Sequence, residues 1–89
     1  MTSEQIIQVV EDYAKKFSER GIRAAKATTT LRPSTREQER HAHWMCLEIP
    51  ELLKTDNGFE KANRWLGFVQ GVLWATGIYS IDAMRDHNR

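Results

Sequence analysis

The sequence predicts an all-α fold in one domain, residues 1–89, and three observations support this prediction. Apolar residues recur three or four positions apart in three separate segments, which is the spacing of an amphipathic helix. Two of these segments begin with capping-box spacing, in which a threonine or serine precedes glutamine or glutamate by three positions. The length of 89 residues suits one small domain, which leaves much of its surface exposed. Oligomerisation commonly compensates for that exposure, so we expect a homo-oligomer.

The first helix is expected to start at Thr2 or Ser3, because Thr2 and Gln5 have capping-box spacing. Gly21 is a natural stop for this helix. Its apolar stripe consists of Ile6, Val10, Tyr13 and Phe17. A tyrosine on such a stripe usually belongs to the core. Alternatively, the ring of Tyr13 forms the flat wall of a pocket on which a purine stacks, with its hydroxyl in water.

The segment from Arg20 to Arg36 carries five basic side chains and no acidic one, although the whole chain has a net charge of only +1. It also contains three consecutive threonines, residues 28–30. A phosphate needs cations and hydrogen-bond donors at close range, so we predict an anion-binding loop between the first two helices. The expected ligand-binding residues are Arg23 and Lys26 for charge, and Thr28 and Thr29 for hydroxyl donors. The alternative is a solvated loop that only keeps the protein soluble.

The second helix is expected to begin after Ser34, which forms a capping pair with Glu37. Pro50 lacks an amide donor and is expected to kink or interrupt this helix. Residues 54–58, KTDNG, predict a turn before the third helix.

The third helix has two neighbouring apolar stripes, with Gly67 and Gly71 four positions apart on the remaining side. The stripes consist of Phe59, Ala62, Leu66, Val69, Leu73 and Thr76, and of Trp65, Phe68, Val72 and Ala75. A helix that is apolar on most sides must be covered on most sides, so we expect a second protomer to help cover it. Gly77 is expected to end this helix, and Ser80 to cap a short fourth one.

The residue pattern predicts no enzyme, no metal site and no cofactor. His41 and His43 are two positions apart and point to different sides of a helix, so they cannot share a metal ion. His43 and Cys46 could share one, but no further ligands have suitable spacing. We therefore interpret them as a solvated histidine and a small buried thiol. The even charge balance argues against affinity for long nucleic acid.

The sequence also leads us to expect a protein of the cytoplasm. The single cysteine fits a reducing cytoplasm, since it cannot form a disulfide within the chain. The first residues do not resemble a signal peptide, and the most apolar stretch, residues 65–79, is too short to span a bilayer.

The segment from the loop onward resembles a known family. The run GFEKANRWLGFVQGVLW, with Glu60, Ala62, Trp65 and Val69 in that order, is similar to the helical-hairpin core of phage anti-CBASS sponges, the Acb/Tad family. Residues 32–38, RPSTREQ, resemble the start of that hairpin, and the closing segment from Trp74 onward is similar to the branch found in T4-type phages. Gly67, Gly71 and Pro50 are departures from the family pattern.

The resemblance implies a short N-terminal helix, the basic loop, an antiparallel helical hairpin and a short C-terminal helix, assembled into hexamers. It implies a protein that sequesters cyclic dinucleotides such as cyclic GMP-AMP in the cytoplasm of the infected bacterial host, which blocks CBASS anti-phage signalling. Each ligand would lie between two protomers, with Tyr13 against a base and Lys26 and Thr28 at the phosphates. Family members can also hold a cyclic trinucleotide at a separate basic site, for which Arg64 is the candidate here.

Two other hypotheses remain. An oligomeric helical phage protein could bind and inhibit a host protein, using the third helix or the basic loop. A nucleic-acid accessory protein would show affinity for ordinary DNA or RNA that falls steeply with salt.

Overall fold

The computed structural model describes residues 1–28 and 31–89, and the regular structure in these residues is entirely helical. The helices are α1 (Ser3–Glu19), α2 (Thr35–Leu52), α3 (Gly58–Ala75) and α4 (Ile81–His87). The all-α prediction is therefore confirmed. α1 has 17 residues and is nearly as long as α2 and α3, which have 18 each, so the expectation of a short N-terminal helix is wrong.

The helix starts follow the capping residues in the sequence. The Thr2 hydroxyl accepts a hydrogen bond from the Gln5 amide, and the Ser34 hydroxyl accepts one from the Glu37 amide, so both capping boxes are confirmed. Gly21 has a φ of +73° directly after α1, a left-handed conformation that costs glycine little. Local chemistry therefore sets these boundaries.

Pro50 lies inside α2 and does not interrupt it. The helix continues to Leu52, and the Leu53 amide still donates to the Ile49 carbonyl at 3.1 Å. Proline removes only one helical hydrogen bond, and at this position the loss falls in the last turn, where the helix is about to end. The expected turn follows, with Asn57 in the left-handed region at a φ of 61°.

The core lies where α2 packs against both α1 and α3. Four side chains of the α1 stripe are 0–1 % exposed: Ile6, Val10, Tyr13 and Phe17. The first predicted stripe of α3 contributes Ala62, Leu66, Val69 and Leu73, each no more than 4 % exposed. α4 adds Met84, which is buried, while Phe59 at the start of α3 stays 47 % exposed. The sequence stripes therefore identify most of the core.

Gly58 is required at the start of α3, because a Cβ there would overlap the carbonyl oxygen of Leu52 and crowd Thr55 Oγ1. We expect Gly58→Ala to lower the free energy of unfolding by about 1–3 kcal/mol, since the backbone of the turn would have to move. Urea denaturation measures this change. Asp56→Ala, an exposed substitution in the same turn, is the control and should stay within about 0.5 kcal/mol of wild type. A Gly58→Ala protein as stable as the control would contradict the close approach.

Candidate ligand-binding site

The basic loop is held against α2 by histidine and backbone hydrogen bonds. His43 is 5 % exposed, and its Nδ1 donates to the Ile22 carbonyl oxygen at 2.8 Å, because a carbonyl can only accept. Its ring stacks on Phe17, with centroids 5.4 Å apart and planes at 19°. The interpretation of His43 as a solvated histidine is therefore wrong: this side chain joins α1, the loop and α2.

His41 fixes the loop one step further along. The Ala27 amide donates to His41 Nδ1 at 3.0 Å, so that nitrogen carries no proton and Nε2 carries it in the neutral ring. The Ala25 amide also donates to the Arg40 carbonyl at 3.0 Å. Two backbone amides on either side of Lys26 are thus bonded to α2, and the loop backbone at Lys26 is fixed.

The predicted phosphate-binding side chains that the structure describes lie on the surface. Arg23, Lys26 and Thr28 are exposed, and Lys26 places its Nζ 5.2 Å from the centre of the Trp44 ring. Thr29 lies outside the described residues. The ion pairs within residues 1–28 and 31–89 are all on α2–α4 or the adjoining turns, and none includes Arg23 or Lys26. The positive charge of these two side chains is therefore available to an anion.

Tyr13 is 1 % exposed, and its ring lies against Tyr79 and His87 at centroid distances of 5.6 and 5.4 Å. Gln70 Nε2 donates to the Tyr13 hydroxyl oxygen at 3.0 Å, and that hydroxyl is hydrogen-bonded to His87 Nδ1 at 2.8 Å. Burial raises the pKa of Tyr13 to about 12. In this conformation the ring has no open face for a base, and its hydroxyl is bonded to protein groups.

Tyr13 nevertheless lies at the bottom of a cavity of about 430 Å³ between α1 and the C-terminal segment. Apart from Val9, the rest of the lining is polar or aromatic: Gln5, Gln8, Asp12, Tyr79, His87 and Arg89. A base that entered here would meet half-buried Tyr79 before Tyr13. Direct stacking on Tyr13 would require α4 to move away from α1.

A row of aromatic rings leads from the loop to α3, and the residue pattern alone did not identify it as part of a site. Trp44 carries Lys26 on its ring and lies 5.4 Å from the His41 ring, which in turn lies 6.2 Å from Phe68 at an angle of 84°. His41 and Trp44 are three positions apart on α2, which places them on one face. That spacing was visible in the sequence, but the contact with Phe68 depends on how α3 packs.

The outer face of α3, which we define as Gly67, Gly71 and Trp74, is exposed. A Cβ at either glycine would meet no atom within 4 Å, and Trp74 is 57 % exposed. The side of α3 that carries the two glycines is thus uncovered in a single chain. Large exposed apolar side chains beside small residues are typical of protein contact surfaces.

Cys46 and Arg64 do not add reactive or unpaired groups to the candidate site. Cys46 is buried as expected, and desolvation raises the pKa of its thiol to about 12, which makes it a poor nucleophile. Arg64 pairs with Glu60 at 3.2 Å on the surface. Among the described residues, no three histidine, cysteine or acidic side chains are grouped closely enough to hold a metal ion. No helix in this part of the chain has the length and apolar character needed to cross a membrane.

The bond between Ala27 and His41 predicts a pH dependence of the loop. Partial burial and the nearby charge of Lys26 lower the pKa of His41 below its ordinary value of 6.5. Below pH 6.5 the His41 ring therefore binds fewer protons in the folded state than in the unfolded state. The contribution of His41 to the free energy of unfolding is complete above pH 6.5 and is lost as the pH falls through the lowered pKa. We expect an NMR titration to show the His41 ring and the Ala27 amide changing together, with a midpoint below 6.5.

Lys26→Gln is the control for this titration. It removes the repulsion and should move the midpoint upward, toward the ordinary value. A wild-type midpoint at or above 6.5, or an Ala27 amide that does not respond, would contradict this account.

Comparison with known proteins found no matching family model, no matching curated protein and no matching solved structure.

Proposed function

We propose that this protein binds and sequesters cyclic dinucleotides, and so withholds the messenger that activates CBASS defence in the cytoplasm of an infected bacterium. The observation that carries the proposal is the fixed basic loop: Lys26 and Thr28 are exposed, and the amides of Ala25 and Ala27 are bonded to α2. A fixed loop binds a rigid anion with little loss of conformational entropy. Sequestration requires affinity and no catalytic group.

The size of the expected interactions is sufficient for this function. A cation–phosphate hydrogen bond contributes about 1.5–3 kcal/mol, and a base–aromatic stack about 1–3 kcal/mol. A cyclic dinucleotide offers two phosphates and two bases in one preorganised ring. Two contacts of each kind, less the cost of association, are compatible with sub-micromolar binding.

In this proposal the protein acts as a homo-oligomer, and the family resemblance leads us to expect a hexamer. The exposed outer face of α3 supports this, because a second copy of the chain could cover Trp74 and approach closely at Gly67 and Gly71. Lys26 lies on Trp44 of α2, whereas Tyr13 contacts α3 and α4 residues. If both residues contact one ligand, a ligand between two protomers is the simplest arrangement.

The experiment that tests the proposal is isothermal titration of the purified protein with 3′,3′-cyclic GMP-AMP. We expect sub-micromolar binding, and we expect the linear dinucleotide to bind much more weakly because it lacks the preorganised ring. Cyclic trinucleotides belong in the same series, since the family resemblance extends to them. The absence of binding to all cyclic di- and trinucleotides would overturn the proposal.

Inhibition of a host protein is the second candidate, and the exposed Trp74 and Phe68 on α3 favour it. A host protein bound through α3 would still bind after Lys26 is substituted, and it would be lost when Trp74 is substituted. A pull-down from bacterial lysate with both variants separates this function from ligand sequestration, because only ligand binding should depend on Lys26.

A further inference from the structure

A second cavity, of about 350 Å³, lies beside the basic loop and is separate from the one that Tyr13 lines. It is formed by the loop, the start of α2 and the middle of α3, and its lining includes Ala27, Pro33, Glu37, His41, Phe68 and Val72. This size is within the range of small-molecule sites. Since Ala27 follows Lys26 directly, the cavity opens beside the proposed phosphate site.

We propose that this cavity holds a purine base of the nucleotide whose phosphate binds at Lys26. The inference rests on the proposed function and adds the base-binding residues to it. Phe68 is 55 % exposed and meets the His41 ring at 84°, so the two rings form a corner with a flat apolar wall. Bases stack on such walls because every base has a π-face.

The lining of the cavity, which is almost wholly apolar and has Glu37 as its one charged residue, decides which part of a nucleotide enters. The Glu37 carboxylate lines it and is held in place, because Glu37 Oε1 accepts a hydrogen bond from the Ser34 amide at 3.0 Å. A carboxylate repels a phosphate but accepts hydrogen bonds from the N–H groups of a base. The base therefore enters the cavity, and the phosphate stays outside with Lys26.

Hydrogen bonding supports the same orientation. His41 Nδ1 already accepts from the Ala27 amide, so the neutral ring presents Nε2–H as a donor. The exposed lining of the cavity is almost wholly apolar, so Glu37 and His41 can supply at most one acceptor and one donor to the edge of a base. Purines present both kinds of group, and the ring row from Trp44 through His41 to Phe68 connects this edge to Lys26.

The test compares two exposed phenylalanines on α3. Phe68 lines the cavity, whereas Phe59 is nine positions earlier, which at about 100° per residue is the opposite side of the helix. Isothermal titration with 3′,3′-cyclic GMP-AMP should show binding to Phe68→Ala at least about tenfold weaker than wild type, the effect of losing one base stack. Phe68→Trp should retain binding, and Phe59→Ala, the matched control, should stay within about twofold of wild type.

A second measurement does not depend on substituting Phe68. In wild-type protein, the NMR signals of the Phe68 ring and the Val72 methyl groups, which line the cavity from α3, should shift when cyclic GMP-AMP is added. Sedimentation of each variant shows whether its assembly is unchanged, and if Phe68→Ala alters the assembly, the NMR result decides. Unshifted Phe68 and Val72 signals in ligand-saturated protein would overturn the base site.

The outcomes separate this inference from the proposed function. If wild type binds, Lys26→Glu weakens binding and Phe68→Ala stays within about twofold of wild type, the base site is wrong and the proposed function stands. If wild type does not bind any cyclic nucleotide, the proposed function fails, and the base site fails with it.

Discussion

Lys26→Glu is expected to weaken binding of cyclic GMP-AMP by at least about tenfold, and by about 100-fold if each ligand meets Lys26 from two protomers. The reason is the loss of a charge-assisted contact of about 1.5–3 kcal/mol at each phosphate, with a repulsive carboxylate in its place. Isothermal titration measures the change. The fold should survive, because Lys26 is exposed and its contact with Trp44 contributes only about 0.5–1 kcal/mol.

The matched control is Lys61→Glu. Lys61 also places its Nζ over a tryptophan, at 5.5 Å from the centre of the Trp65 ring, so it reproduces the loss of a cation–π contact on α3, at the ring next to Trp44. We expect Lys61→Glu to bind within about threefold of wild type, as a screened surface charge should. Wild-type affinity in Lys26→Glu, or an equal loss in both variants, would show that the loop does not bind the phosphates.

The boundaries of the helices were predictable because they depend on residues a few positions apart. Thr2 with Gln5, and Ser34 with Glu37, act within one helical turn, and both capping boxes have the expected partners. The buried stripe of α1 was predictable for a similar reason, since helical periodicity places its members on one face. For Pro50 the sequence left a kink or an interruption of α2 open, and the interruption does not occur, because the proline lies in the last turn of the helix.

The roles of the histidines were not predictable from the sequence. His41 bonds to Ala27 fourteen positions away, and His43 bonds to Ile22 twenty-one positions away. These partners are backbone groups, which leave no trace in the residue pattern. The separation of two positions between His41 and His43 correctly placed them on different sides of α2. It could not show that the loop contacts both sides.

The candidate site was predictable only in its charge. The absence of acidic residues from the basic segment made Lys26 a candidate on composition alone, and its side chain is exposed beside a fixed backbone. The cavity beside it depends on Phe68, which reaches the loop only because α3 packs on α2. Packing between distant segments is tertiary information, and neither periodicity nor composition contains it.

Tyr13→Ala is expected to lower the free energy of unfolding by about 3–5 kcal/mol, the cost of deleting a large buried aromatic side chain. Tyr13→Phe keeps the ring and removes only the hydroxyl, so it should cost about 1–2 kcal/mol as His87 and Gln70 lose their partner. Urea denaturation measures both. Tyr13→Ala therefore cannot test ligand stacking, because lost binding would be confused with lost structure, and Tyr13→Phe is the variant to titrate with ligand.

Alkaline pH provides an independent check on the burial of Tyr13. Its pKa is raised from 10.0 to about 12, so the folded state resists losing the phenolic proton. The stabilisation from this group is complete below pH 10 and is lost as the pH rises toward 12. The stability difference between wild type and Tyr13→Phe should consequently shrink over this interval, because phenylalanine has no proton to lose. A constant difference would mean that the Tyr13 hydroxyl titrates normally, and hence that α4 leaves this ring open to solvent and to a base.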